Sequence, residues 1–147
     1  MTRLLVTGVS GMLGANLALF AQTRGFEVLG WTNSHPLLNA PLEMRCVDFR
    51  DPRILAEAFA DAQAEMLINC AAQANVDAAE KQPEAAFRVN AEAAGELAKM
   101  AHGAGVPMIQ VPKEFDVSPA IAGFSTSTPF DIALAAISIS GTKISPA

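Results

Sequence analysis

A three-layer α/β/α fold around a parallel sheet is the class this sequence predicts, and three observations carry the prediction. Short apolar runs rich in Val, Leu and Ile alternate with segments of helical spacing from Arg3 to Val111. The first run ends in Gly8, Gly11 and Gly14, a G-x-x-G-x-x-G turn between a strand pattern and a helix pattern. Helix start and stop signals stand between the runs, with Asp51-Pro52 as an N-cap and first-turn pair and Gly25 and Gly105 as stops. Such alternation implies a parallel sheet with helices on both faces. Right-handed crossovers then give the strand order 3-2-1-4-5, with a ligand at the carboxyl ends where strands 1 and 4 diverge.

The elements follow in order. Arg3 to Thr7 reads as a buried parallel strand. From Met12 the spacing becomes helical, with Leu13, Leu17 and Phe20 on one face and Met12, Ala15 and Leu19 beside it, until Gly25. Phe26 to Trp31 is the second strand, and Met44 to Val47 a weak third one ending at Asp48-Phe49. Asp51 opens a helix to about Ala62 with Ile54, Leu55, Ala58 and Phe59 on one face. Glu65 to Cys70 is the fourth strand, and Asn75 to Lys81 a short helical turn. Pro83 starts a long helix to about His102, with Ala86, Phe87, Ala94, Leu97 and Ala101 available for burial, which Gly103 and Gly105 end. Val106 to Val111 is the fifth strand. The order breaks at Pro112, so one domain is expected over 1–111 and an atypical segment over 112–147.

Composition narrows the function classes. Of the 147 residues 51% are hydrophobic and only 17% charged, enough for a real core or for a surface that a partner covers. The net charge of −5 has no basic stripe, which argues against nucleic acid. Apolar runs break before the roughly 18 residues a membrane span needs, and Met1-Thr2-Arg3 leads into the first strand without a signal-peptide pattern. Cys46 and Cys70 lack metal-ligand spacing and read as buried thiols rather than a disulfide, and no metal site is expected. A cytoplasmic protein fits these features. Exposed sheet edges make self-association plausible.

The glycine turn is where chemistry enters. Backbone N–H groups and a helix N-terminus at such a turn receive a phosphate, and glycines let the chain approach a pyrophosphate closely. Gly8, Ser10, Gly11, Met12, Leu13 and Gly14 are therefore candidate contacts to a dinucleotide, through backbone amides more than side chains. The second strand ends at Trp31-Thr32-Asn33-Ser34 with no acid to hold a ribose 2′-hydroxyl, which leans toward NADP over NAD. No Arg stands there to clamp a 2′-phosphate either. Thr32, Asn33 and Ser34 could donate hydrogen bonds, and His35 could add charge when protonated or be a solvated loop histidine. Asp48 has two readings, a hydrogen bond to an adenine amino group with Phe49 lining that pocket, or a strand-end cap. Ala71 and Ala72 leave room for a ribose or serve tight packing. Asn69 and Asn90 could satisfy buried backbone groups. His102 suits a helix C-terminus, and Glu80 and Glu84 a solvated helix face.

Five segments carry a resemblance. Val6 to Gly14, Val47 to Asp51, Ile68 to Ala72, Asn75 to Glu80 and Pro83 to Asn90 are similar to extended short-chain dehydrogenases, in particular the dTDP-4-dehydrorhamnose reductase branch. The regulatory subunit of methionine adenosyltransferase is built on the same pattern. The resemblance covers residues 3–111. It implies a Rossmann fold, an NAD(P) cofactor and nucleotide-sugar chemistry.

The same resemblance implies a catalytic Ser or Thr after the fifth strand and a Tyr-x-x-x-Lys pair, and here the sequence departs from it. Val111 is followed by Pro112-Lys113-Glu114-Phe115, and tyrosine is absent altogether. Lys143 lies in a segment similar to Tyr-Gly-x-x-Lys, but Ile139 stands in the tyrosine position and Ser140 is one residue out of register. The family's carboxy-terminal substrate domain is missing, so the chain reads as truncated. Either it is a non-catalytic nucleotide-binding or regulatory module that acts through a protein partner, or residues 112–147 are a disrupted reading of a longer enzyme.

Overall fold

The structure is a computed structural model that describes residues 1–34, 39–72 and 76–111. The readings at His35, at Asn75 and over 112–147, including Ser140 and Lys143, lie outside the described residues. Five strands, β1 (Arg3–Thr7), β2 (Glu27–Thr32), β3 (Glu43–Cys46), β4 (Met66–Asn69) and β5 (Met108–Gln110), form one sheet in the order β3-β2-β1-β4-β5. Every pairing is parallel, with Leu5 opposite Leu29 on one side and Leu67 on the other. The predicted class and strand order are those observed.

Helix α1 (Met12–Thr23) covers one face and α2 (Pro52–Ala62) the other. Alternation along the strands sends Leu5, Leu29, Trp31 and Leu67 to the second face. There they form one cluster with Phe49, Leu55, Ala58 and Ala62, joined by Ala93, Leu97 and Ala101 of a helix after β4. Leu4, Val6, Val28 and Ile68 point to the first face, where Leu17, Ala18 and Ala21 of α1 are buried. Asp51 caps α2 as its sequence foretold, accepting from the N–H of Arg53 at 2.9 Å and of Ile54 at 3.4 Å.

Several expectations are corrected. The long helix is three segments: α4 (Pro83–Phe87), a π turn (Arg88–Glu92) and α5 (Ala93–Ala104), preceded by α3 (Val76–Lys81). The extra residue of a π turn rotates the helix before it relative to the helix after it. Phe87 faces solvent at 62% exposure, and Ala93 rather than Ala94 is fully buried. Gly103 lies inside α5, and Gly105 alone ends it, with the Val106 N–H returning to the Ala101 carbonyl at 2.8 Å. Ile54 is exposed at the outer edge of α2. β4 stops at Asn69, beyond which the Ala71 N–H turns to the Thr7 and Asn69 side chains, and β5 starts after Pro107, which cannot donate to a ladder. Cys46 is an exposed thiol, not a buried one, and Cys70 is half-buried; both are free. No helix of the described residues is long and apolar enough to cross a membrane.

The two faces give a direct contrast. Leu67→Ala, at 0% exposure in the central cluster, is expected to cost about 2–5 kcal/mol, and Ile54→Ala less than about 1 kcal/mol. Urea denaturation of the two variants checks it, and equal costs would place Ile54 in the core.

Candidate functional site

The carboxyl ends of β1 and β4 meet at Gly8. Its φ of +69° is a left-handed conformation, and a Cβ there would lie 2.7 Å from the Cys70 carbonyl oxygen. A Cβ on Gly14 would run into the Gly8 carbonyl oxygen and come within 3.1 Å of the Val9 Cα. Both positions therefore need glycine so that α1 can seat its first turn directly on the end of β1. Gly11 is the N-cap of α1 in extended backbone, and its own N–H bonds back to the Gly8 carbonyl at 3.0 Å.

Among the described residues no side chain caps α1. The first amides of a helix have no partner within it, so the first turn of α1 presents donors and the positive end of the helix dipole. Ser10, Gly11 and Met12 are exposed, Leu13 is half-buried and Gly14 is buried beneath them. The turn is thus exposed at Ser10, Gly11 and Met12 and closed beneath by Gly14.

Beside the turn, a set of polar side chains crosses the strand ends. The Thr7 hydroxyl and the Asn69 Oδ1 are hydrogen-bonded in the buried interior. Both accept from the Ala71 N–H, at 3.2 and 3.3 Å. The Asn69 Nδ2 donates to Gln110 Oε1 at 2.7 Å, and Gln110 Nε2 donates to the Val111 carbonyl at 3.0 Å. Asn69 thus does what its sequence setting suggested, satisfying a backbone amide in the interior. Thr7 and Gln110 were not singled out from sequence. Ala71 is half-buried and Ala72 exposed on the far side of Gly8. The pKa of the Cys70 thiol just before them is pushed up to about 11 by burial, so it stays protonated near neutrality.

The end of β2 is only partly as expected. Asn33 and Ser34 are exposed beyond the strand, but Thr32 is 1% exposed with its hydroxyl 3.5 Å from the Cys46 sulfur. Its side chain is committed to the sheet and is no outward donor. Phe49 is 4% exposed, edge-on to Trp31 with ring centroids 6.2 Å apart, so most of its ring belongs to the core. Asp48 accepts from Arg50 three times, from the backbone N–H and Nε at Oδ1 and from Nη2 at Oδ2, each at 2.9 Å. These contacts fit a local cap after β3, and the Asp48 side chain stays 35% exposed. The Arg50 guanidinium holds the Asp48 carboxyl below the usual carboxylate range. Among the described residues no cluster of three metal-ligating side chains occurs.

The comparisons with known proteins agree with this geometry. Residues 1–116 match the family model described as the RmlD substrate binding domain. A probable low-salt glycan biosynthesis reductase of Haloferax volcanii is 31% identical over 120 residues, which are 81% of this chain and 39% of that protein. The dTDP-4-dehydrorhamnose reductase of Streptomyces griseus is 32% identical over 113 residues, covering 77% and 34%. The crystal structure of the Thermus thermophilus UDP-glucose 4-epimerase in complex with NAD superposes with a TM-score of 0.64 at 29% identity, over 71% of this chain and 35% of that one. The chain spans little more than a third of the length of the curated relatives it matches.

The Asp48–Arg50 contact has a pH signature. Its carboxyl pKa is lower in the folded chain than in the unfolded one, so the contact stabilises the fold above the unfolded carboxylate range and fades as pH falls through the folded value. Asp48→Asn is therefore expected to lower the melting temperature at pH 7, by an amount that shrinks below about pH 4. Melting curves of both proteins at several pH values test this, and a difference independent of pH would contradict it.

Proposed function

The chain belongs to the RmlD substrate binding domain family, and from that membership we propose that residues 1–111 hold an NAD(P) dinucleotide for the reduction of a nucleotide sugar. The reading is that of an oxidoreductase similar to dTDP-4-dehydrorhamnose reductase. The observation that carries it is the Gly8–Gly14 turn, where two close backbone approaches leave the uncapped first turn of α1 facing outward.

In this reading the amides of Ser10, Met12 and Leu13 receive the pyrophosphate, with Gly11 as the N-cap whose own N–H is held by the Gly8 carbonyl, over the floor made by Gly8 and Gly14. Asn33 and Ser34 face the adenosine ribose, and the absence of an acid beside them favours NADP over NAD. Asp48 faces the adenine, with the 4% of Phe49 that is exposed beside it. Ala71 and Ala72 leave space for the second ribose, with the Ala71 amide already turned inward by Thr7 and Asn69. A bound reduced cofactor supplies a hydride. A carbonyl reduced by hydride also takes a proton, and the 147 residues contain no tyrosine to give it as the related enzymes' pattern implies. The chain is therefore read as binding the cofactor with an incomplete site for turnover. We place it in the cytoplasm, where NAD(P) and nucleotide sugars are found.

Trp31, the single tryptophan, gives the test. Titrated with NADPH, the full chain is expected to transfer Trp31 excitation to the reduced nicotinamide, with saturation below about 1 mM and weaker binding of NADH. Added dTDP-4-dehydrorhamnose is expected to give no NADPH oxidation. Absence of binding at millimolar NADPH contradicts the cofactor reading, and steady oxidation contradicts the incomplete site.

A further inference from the structure

We propose that Arg88 is a positioning residue for the adenine end of the site: held by Glu96, it fixes the loop after β3 so that the Asp48 carboxylate can take a purine's exocyclic amino group. The inference rests on the dinucleotide reading above and assigns a residue remote from the glycine turn.

Arg88 opens the π turn, and its side chain is only 16% exposed. Glu96, eight residues on, grips it with both oxygens, accepting from Nη1 at 2.9 Å and Nη2 at 2.8 Å. Glu92 adds a longer contact at 3.4 Å. A two-bond fork of this kind fixes the plane of a guanidinium as well as its place. The Nε donor makes no contact with either carboxylate. It donates to the Arg50 carbonyl oxygen at 3.2 Å, joining segments 38 residues apart in sequence.

That carbonyl belongs to the residue that grips Asp48. Arg50 fills both lone pairs of Asp48 Oδ1, with its backbone N–H and Nε, and one of Oδ2, with Nη2. An ionised carboxyl has about four acceptor positions. Among the described residues nothing fills the fourth, on Oδ2, and it suits an N–H donor rather than an acceptor. The amino group of adenine is such a donor. The carbonyl oxygen of hypoxanthine in its place is not. The run from Glu96 through Arg88 and Arg50 to Asp48 thus aims one acceptor position, using a hydrogen bond to the loop main chain that a simple helix ion pair would not need.

The experiment compares NADH with nicotinamide hypoxanthine dinucleotide in its reduced form, both read by energy transfer from Trp31. The wild-type chain is expected to prefer NADH by about tenfold. In Arg88→Gln, NADH is expected to bind about five- to tenfold more weakly and the hypoxanthine analogue within about twofold of wild type, so the preference collapses. Glu96→Gln, which releases the fork but keeps its size, is expected to do the same and decides the matter if Arg88→Gln does not fold. A preference kept in the variants, or equal weakening of both dinucleotides, overturns the positioning role and leaves a structural ion pair. Equal binding of the two dinucleotides by wild type overturns the role of Asp48 and hence of Arg88, while the cofactor reading stands. Failure of wild type to bind either overturns both.

Discussion

The site depends on three stretches of backbone meeting at Gly8. The end of β1, the end of β4 and the first turn of α1 approach there more closely than any side chain allows. A Cβ at Gly8 would press on Cys70, and one at Gly14 would enter the Gly8 carbonyl. The closeness sets where α1 begins. Because α1 begins on top of β1 and not beyond it, its first amides stand where the connections leaving the paired strands β1 and β4 turn to opposite halves of the sheet. The adjoining Thr7, Asn69 and Gln110 side chains then satisfy the buried polar atoms that such a junction creates.

The opposite half of the site is built on the second face. Trp31, Phe49, Leu55 and Leu97 pack in one cluster, which anchors the start of α2 and the start of α5 at the same end of the sheet. That common anchorage brings Arg88 within reach of Arg50. Packing under the sheet thus sets the polar arrangement above it. In the proposed dinucleotide site, the phosphate end rests on backbone geometry and the adenine end on side-chain geometry fixed by a buried cluster.

Much of this was legible in sequence, for identifiable reasons. Strand runs, helix spacing and the Asp51-Pro52 cap report local propensity and burial, and these agree with the final fold. Gly8 and Gly14 were legible because only glycine fits where backbones touch. The π turn was not, since one added residue leaves an alanine-rich pattern such as Ala85-Ala86 and Ala93-Ala94 reading equally well in either register. The inward turn of Thr32 escaped for a different reason: a hydroxyl at a strand end serves either side, and the neighbouring Cys46 sulfur settles it only in three dimensions. Arg88 gave no signal, because in sequence it has only helix neighbours and its key contact lies 38 residues away. Arg50 stands two residues from Asp48, a spacing that fits a local cap but does not announce one.

If the uncapped first turn of α1 is a pyrophosphate site, ADP-ribose added to the full chain is expected to move backbone amide NMR signals there. The largest shifts are expected on the amides of Ser10, Met12 and Leu13, saturating together with those around Asp48. Shifts confined to other parts of the sheet, or none at millimolar ligand, would contradict it.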